Sequence, residues 1–230
     1  MSTVRTTIMI SVVLATAALS AAGCSEHRPP KATSVTYGIT DPLHRLDVTS
    51  RGGDIALATS TNGTVSVTER LHYSGSRPAT THAVVNGVLT LANTGCGHDS
   101  STCDVAYQVA VPAGLDVHLD SDGGTVRLRG TPDSLSVTSG GGTVTGDALT
   151  APAVDVNSGG GTTSLAFTSP PSTLDVASHG GDATLHLPAG PYALTAAAGG
   201  GSTHTDLATD PTAARTVHVS TGGGTLTIGG

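Results

Sequence analysis

From residue 115 to residue 230 the chain repeats one phrase six times: a short apolar-polar alternation, a hydroxyl residue, a glycine cluster, Thr or Asp, and a second alternation. One copy is Val117-His118-Leu119-Asp120-Ser121-Asp122-Gly123-Gly124-Thr125-Val126. The next is Leu135-Ser136-Val137-Thr138-Ser139-Gly140-Gly141-Gly142-Thr143-Val144. Further copies cover 154–163, 174–183, 194–203 with Ala198 in the serine place, and 217–226 with Thr221 there. Their last glycines, at 124, 142, 161, 181, 201 and 224, lie 18 to 23 residues apart, a period that marks a stacked array. The two-residue alternation predicts half-buried strands, and Val, Leu and Thr suit a pleated surface. A strand of about five residues cannot bury enough apolar surface alone, but copies stacked in register cover one another's valines and leucines.

Stacking also explains the polar columns. Ser121, Ser139, Ser158, Ser178, Ala198 and Thr221 would form one ladder before the corner, and Thr125, Thr143, Thr162, Asp182, Ser202 and Thr225 a second after it. Hydroxyls are short enough for a tight corner and bond to backbone there. The glycines are expected to supply positive φ at the corner. Prolines 132, 152, 171, 191 and 211 fall between copies, where a missing N–H does least harm. A second geometry remains open: Gly-Gly between alternating runs is also a hairpin signal, which would give an antiparallel sandwich. The ladder columns favour the first, because a hairpin needs no Ser at the same place in successive copies. The fold expected is therefore all-β, a parallel β-solenoid of about 20-residue coils over 115–230, with six coils rising roughly 29 Å at the strand spacing.

Ahead of it, residues 1–23 read as a signal peptide: Arg5, an apolar run from Ile8 to Leu19, then Ala21-Ala22-Gly23. With Cys24 following, the arrangement resembles the lipobox of bacterial lipoproteins, although Ala21 stands where Leu is usual. That resemblance implies diacylation of Cys24 and stable membrane anchoring by two chains. Residues 24–34, with Pro29-Pro30, read as a tether. Of three cysteines, a lipidated Cys24 leaves Cys96 and Cys103 as a pair that could close a polar loop in an oxidising compartment. Residues 35–114 read as an irregular, antiparallel β cap. Leu46-Asp47-Val48-Thr49-Ser50-Arg51-Gly52-Gly53-Asp54-Ile55 is a seventh copy of the phrase, and Asn62-Gly63 and Asn86-Gly87 read as two-residue hairpin turns.

The lipobox, the paired-cysteine loop, the strand ending Val111-Pro112-Ala113-Gly114-Leu115-Asp116-Val117 and the repeated Ser-Gly-Gly corners together resemble the bacterial "putative adhesin" family of extracytoplasmic lipoproteins. The resemblance implies an all-β envelope protein with no established catalytic residues. Thr in place of Asp at most corners weakens any carboxylate ladder.

Composition narrows the function classes. The formal net charge is −7, and removing the signal takes away Arg5 and no acid. Beyond Gly130 the only Lys or Arg is Arg215, a balance that disfavours nucleic acid, whose non-specific affinity rests on phosphate contacts. Four Tyr, one Phe and no Trp leave few stacking platforms for sugars. Asp54, Asp122 and Asp182 beside glycine corners suggest calcium, but the nonapeptide calcium repeat needs an Asp in every turn. His186 and His204, at matching places in consecutive copies, could approach each other, whereas His118 and His218 fall in the first and last copies. Solvated outward histidines are the simpler account, and no metal or other cofactor is expected. No Gly-x-Ser-x-Gly elbow enters a helix, and no Lys follows the glycines as a phosphate cradle requires.

The reading is an extracytoplasmic protein, lipid-anchored to the bacterial cell membrane, that acts without catalysis as an adhesin-like or scaffold module for an envelope protein or cell-wall polymer. Two rivals stand beside it. One is a sensory envelope module binding a peptide or membrane protein. The other is a polysaccharide-active enzyme, for which only Arg127 and Arg129 near Asp120 or Asp122 approach a catalytic cluster. Mass spectrometry of the mature, non-reduced protein should find acyl chains on Cys24 and a Cys96–Cys103 linkage; free thiols at 96 and 103 would count against the pairing.

Overall fold

A computed structural model of the chain describes residues 29–96, 102–130 and 132–230; Cys24 and the 1–23 segment lie outside them. The described residues are all β, with nineteen strands in a ten-stranded and a nine-stranded sheet, mostly parallel. Eight times the chain runs a strand in the nine-stranded sheet, turns a corner and runs a strand in the ten-stranded sheet; each pair is a rung. In chain order the rungs are β2 (Arg45–Ser50) with β3 (Ile55–Thr59), β6 (Val88–Asn93) with β7 (Cys103–Val111), β8 (Asp116–Ser121) with β9 (Val126–Arg129), and β10 (Ser134–Ser139) with β11 (Val144–Leu149). They continue as β12 (Ala153–Ser158) with β13 (Thr163–Phe167), β14 (Thr173–Ser178) with β15 (Ala183–His186), β16 (Ala193–Ala198) with β17 (Thr203–Asp206), and β18 (Thr216–Thr221) with β19 (Leu226–Gly229). The other strands, β1 (Lys31–Ile39), β4 (Val65–Tyr73) and β5 (Thr80–Val85), pair antiparallel at one end.

Neighbouring rungs pair without offset through the regular part of the stack. Leu135 lies against Val117 and Val154, Val137 against Leu119 and Val156, and Ser139 against Ser121 and Ser158. These inward residues are buried and form one continuous core running the length of the stack. The hydroxyl ladder has a specific task. Ser50, Ser121, Ser139, Ser158, Ser178 and Thr221 are all buried, and each donates to the carbonyl of the glycine three residues on, at 2.9 to 3.4 Å. A corner carbonyl with no strand partner is thereby satisfied by its own rung.

The corner glycines serve a different purpose from the one expected. Among those of the repeated phrase only Gly52 has positive φ, at 90°. What the others provide is room. A Cβ on Gly142 would fall on the carbonyl oxygen of Gly124, and one on Gly161 would fall on that of Gly142. The same holds for Gly124 over Gly53, Gly181 over Gly161, Gly224 over Gly181 and Gly201 over Gly224. The middle glycines 123, 141, 160 and 223 face open space.

Rung order in space departs from chain order at both ends. Along the nine-stranded sheet it reads β16-β18-β14-β12-β10-β8-β2-β6-β5, so the last rung in the chain slots between the two before it. The first rung likewise sits inside the second. Burial accounts for the C-terminal exchange. Val217, Val219, Leu226 and Ile228 of the last rung are fully buried, whereas the rung displaced outward offers only half-buried Leu194, Ala196 and Ala198 and the exposed Thr203 and Thr205. The segment 207–215 is long enough to cross back, and its Thr209 bridges to Tyr192. Residues 35–114 therefore supply two rungs of the stack, not only a cap. Asn86-Gly87, both at positive φ, close the β5–β6 hairpin, but Asn62-Gly63 leads into a strand that pairs with β1 and β7, not with β3.

The N-terminal end is closed by a polar cluster under β1. The Tyr37 hydroxyl donates to buried Glu69 at 2.7 Å, and its ring stacks on His82 across the gap between the sheets, 4.4 Å centre to centre. Burial, then the hydrogen bond and charge of Glu69, push the Tyr37 phenol far above its ordinary range; burial and Glu69 do the same to Tyr107. A Cβ on Gly142 would meet the backbone of the neighbouring rung whereas one on Gly141 would meet nothing, so Gly142→Ala should cost about 1–3 kcal/mol or more through forced backbone displacement. Gly141→Ala should leave stability unchanged or raise it by up to about 1 kcal/mol. Urea denaturation of the two variants measures both.

Candidate binding face

Strand alternation that sends Val and Leu inward sends the intervening residues outward, and on the ten-stranded sheet those are small. Ala56 and Ala58 of β3, Ala110 of β7 and Ala166 of β13 floor a trough of about 700 Å³ across β4, β7, β3, β9, β11 and β13. Ser66, Thr68, Thr145 and Ser164 continue it, and Gln108, Arg127, Arg129 and Asp147 also line it. Beyond Arg77 the chain has three Lys or Arg side chains, and two of them stand here.

Both arginines have carboxylate neighbours. Arg127 Nη1 lies 2.8 Å from Asp54 Oδ2, while Asp54 Oδ1 accepts from the Thr125 N–H of the next rung at 2.9 Å. Partial burial raises the Asp54 carboxyl, but the Arg127 and Thr125 hydrogen bonds outweigh it and hold the group below the usual carboxylate range. Arg129 Nη2 is 3.6 Å from Asp147 Oδ2, and with both side chains about 70% exposed that pair is weak (72% and 71%). Asp182 repeats the corner role of Asp54, accepting from the Thr225 N–H at 2.7 Å.

At the trough's rim the β11 ladder is broken. Gly146 sits opposite Leu165 and Leu149 opposite Phe167, so Asp147 and Ala148 together occupy the place of one residue, Ala166. The cause is local packing. Gly146 leaves an inward gap, and the extra residue turns Leu149 back to fill it, near enough that a Cβ on Gly146 would clash with Leu149 and Leu165. Ala148 takes φ of 51°, a left-handed conformation that costs a residue with a Cβ about 1–2 kcal/mol. Bulges of this kind re-aim side chains and occur next to functional surfaces.

Several sequence expectations land elsewhere. Asp120 and Asp122 belong to β8 and its corner, whereas Arg127 and Arg129 project from β9 in the other sheet and meet Asp54 and Asp147. His186 and His204 do not meet, because β19 lies between their strands and places Gly229 beside His186 and Thr227 beside His204. His118 and His218 share an outward column with Ser136, Asp155 and Asp175, and rung exchange sets His218 directly beside Asp175. Among the described residues no three His, Cys, Asp or Glu side chains converge as a metal site. Cys96 and Cys103 are joined in the structure, with Cα atoms 5.8 Å apart. Sequence reasoning missed the bulge, whose one signal was glycine at an inward position followed by Ala148-Leu149.

No family model matches the chain, and no curated relative matches it. Solved structures resemble it at low identity. One, described as a "putative cell adhesion protein" from Clostridium sporogenes ATCC 15579, is 11% identical over 86% of this chain and 99% of that one, with a TM-score of 0.48. A "putative adhesin" from Bacteroides fragilis NCTC 9343 is 14% identical over 86% and 97%, with a TM-score of 0.39. Another from Parabacteroides merdae ATCC 43184 is 13% identical over 86% and 96%, with a TM-score of 0.32.

Replacing Arg127 with Ala should return the Asp54 carboxyl toward its ordinary value, read by NMR titration. Because Asp54 is depressed in the folded chain, the pair's contribution, at most about 1 kcal/mol for so exposed a contact, is present at neutral pH. The stability difference between wild type and variant should vanish as pH falls below about 3.9 and through the folded-state value.

Proposed function

We propose that the stacked rungs form a short parallel β-solenoid, and that the chain is an extracytoplasmic, non-catalytic binding module presenting the trough of the ten-stranded sheet to an envelope protein or cell-wall polymer. Lipid on Cys24 and a tether shorter than the 24–34 expected, since β1 already begins at Lys31 and pairs with β4 from there, hold it at the bacterial membrane in this reading. The observation that carries it is the trough itself: a shallow, alanine-floored surface crossing six strands, with a strained bulge and two arginines along it. Such a surface suits an extended partner laid across the rungs, since it offers length and small side chains in place of a deep enclosed pocket. Aspartates already facing Arg127 and Arg129 fit positioning of a ligand better than proton transfer. The antiparallel end carrying β1 is the one nearest the tether, so the stack would extend away from the membrane by roughly 45 Å at the strand spacing.

The test uses residues 29–230, which contain every described strand, immobilised and exposed to purified cell-wall polymer and to solubilised envelope proteins. Filling the trough with Ala58→Arg and Ala166→Arg should weaken binding by at least about tenfold, the scale of losing a central contact patch. Asp155→Asn on the other sheet should not. Equal retention by both variants would remove the trough from the reading.

A further inference from the structure

The two ends of the stack are finished differently. At the N-terminal end β1, β4 and β5 run antiparallel over the first rungs, and Tyr37 stacked on His82 closes the space between the sheets. At the other end β16 and β17 are the outermost strands, and each has a single neighbour, β18 and β19. The 207–215 crossover takes the backbone groups of Tyr192 just ahead of β16, and beyond it the free edges carry unpaired backbone donors and acceptors, with the inward side chains between them left half-buried or exposed.

The geometry points to a second copy of this chain as the occupant of that end, docked tail to tail about a two-fold axis. In a two-fold contact each strand edge meets itself antiparallel, so the surface must complement itself. Place the axis through the middle of the end rung, at Ala196 on one sheet and Thr205 on the other. The inward residues then pair large with small: Leu194 faces Ala198, and Leu207, partly buried against the core, faces Thr203. Ala196 and Thr205 meet their own copies on the axis, where only small side chains fit. Outward, the imidazole of His204 faces the carboxylate of Asp206, twice over. A foreign strand would meet the same alternation of His and Asp without that match, so the polar edge admits this partner and discourages others.

The scale is modest. A six-residue strand is about 20 Å long and the sheets are about 10 Å apart, which gives an end face of roughly 20 Å by 20 Å with side chains. Such a pair buries about 800 Å² in total, in the range of weak, reversible contacts. Both N-termini lie at the far poles, roughly 95 Å apart for twenty strands end to end. If each tether enters a membrane, as the proposed function holds, that arrangement joins two opposing surfaces and not two neighbours on one. The contact itself does not depend on the trough.

Sedimentation of residues 29–230 from about 1 µM to about 1 mM, where binding free energies of roughly −8 to −4 kcal/mol are read, should show a concentration-dependent dimer. Small-angle scattering should give that dimer a long dimension about twice the monomer's. His204→Asp, which sets two acids against Asp206, should raise the dissociation constant at least about tenfold, that is by about 1.4 kcal/mol. The double variant His204→Asp with Asp206→His exchanges the partners and should restore it, which mere damage to the strand would not. A monomer throughout, a dimer no longer than one copy, or a dimer indifferent to His204→Asp would each overturn the assignment.

Discussion

The close approach of backbone to backbone at the glycine corners is the constraint on which the rest depends. Carbonyl oxygens of one rung occupy the space where the next rung would carry a Cβ, from Gly53 through Gly124, Gly142, Gly161 and Gly181 to Gly224 and Gly201. That contact holds the rungs in register at one edge. Because strand alternation has a period of two, register at the corner then decides which face every Val and Leu takes. The buried hydroxyl before each corner completes the device by satisfying the carbonyl of the same glycine.

With register settled at the corners, the two outer faces are free to differ. The nine-stranded sheet carries Asp47, Asp155 and Asp175 along one outward column with two histidines, while the ten-stranded sheet gathers Arg127 and Arg129 over alanines. Among the described residues the one register shift between paired rungs, the β11 bulge, lies on the arginine side. Strain at Ala148 is tolerated because Leu149 gains a buried place opposite Phe167. The bulge at the rim of the proposed binding face is thus a by-product of core packing at one inward glycine.

Much of this was legible in the residues. The alternation predicts the strands, the spacing of the last glycines predicts one rung per copy, and the Ser column predicts the parallel pairing observed over the hairpin alternative. Other features were not. The expectation of positive φ failed because conformational freedom and absence of a Cβ look the same in a sequence, and only the neighbouring rung shows which one is used. The Arg127–Asp54 contact was hidden for a similar reason: the two residues are 73 positions apart and meet because a rung from the first 60 residues is the spatial neighbour of β9.

What the amino-acid order determines by itself is local: which stretches are strands, which face is apolar, where the chain must turn, and that the units are alike enough to stack. The order of stacking belongs to the tertiary structure. Similar rungs are nearly interchangeable as neighbours, so the choice falls to how much apolar surface each must hide. The rung holding Val217, Val219, Leu226 and Ile228 therefore takes an interior place, and the one holding Ala196 and Thr205 is left at the edge. Everything that follows from adjacency, including His218 beside Asp175 and the open C-terminal end, comes from that competition for burial, which no local pattern encodes.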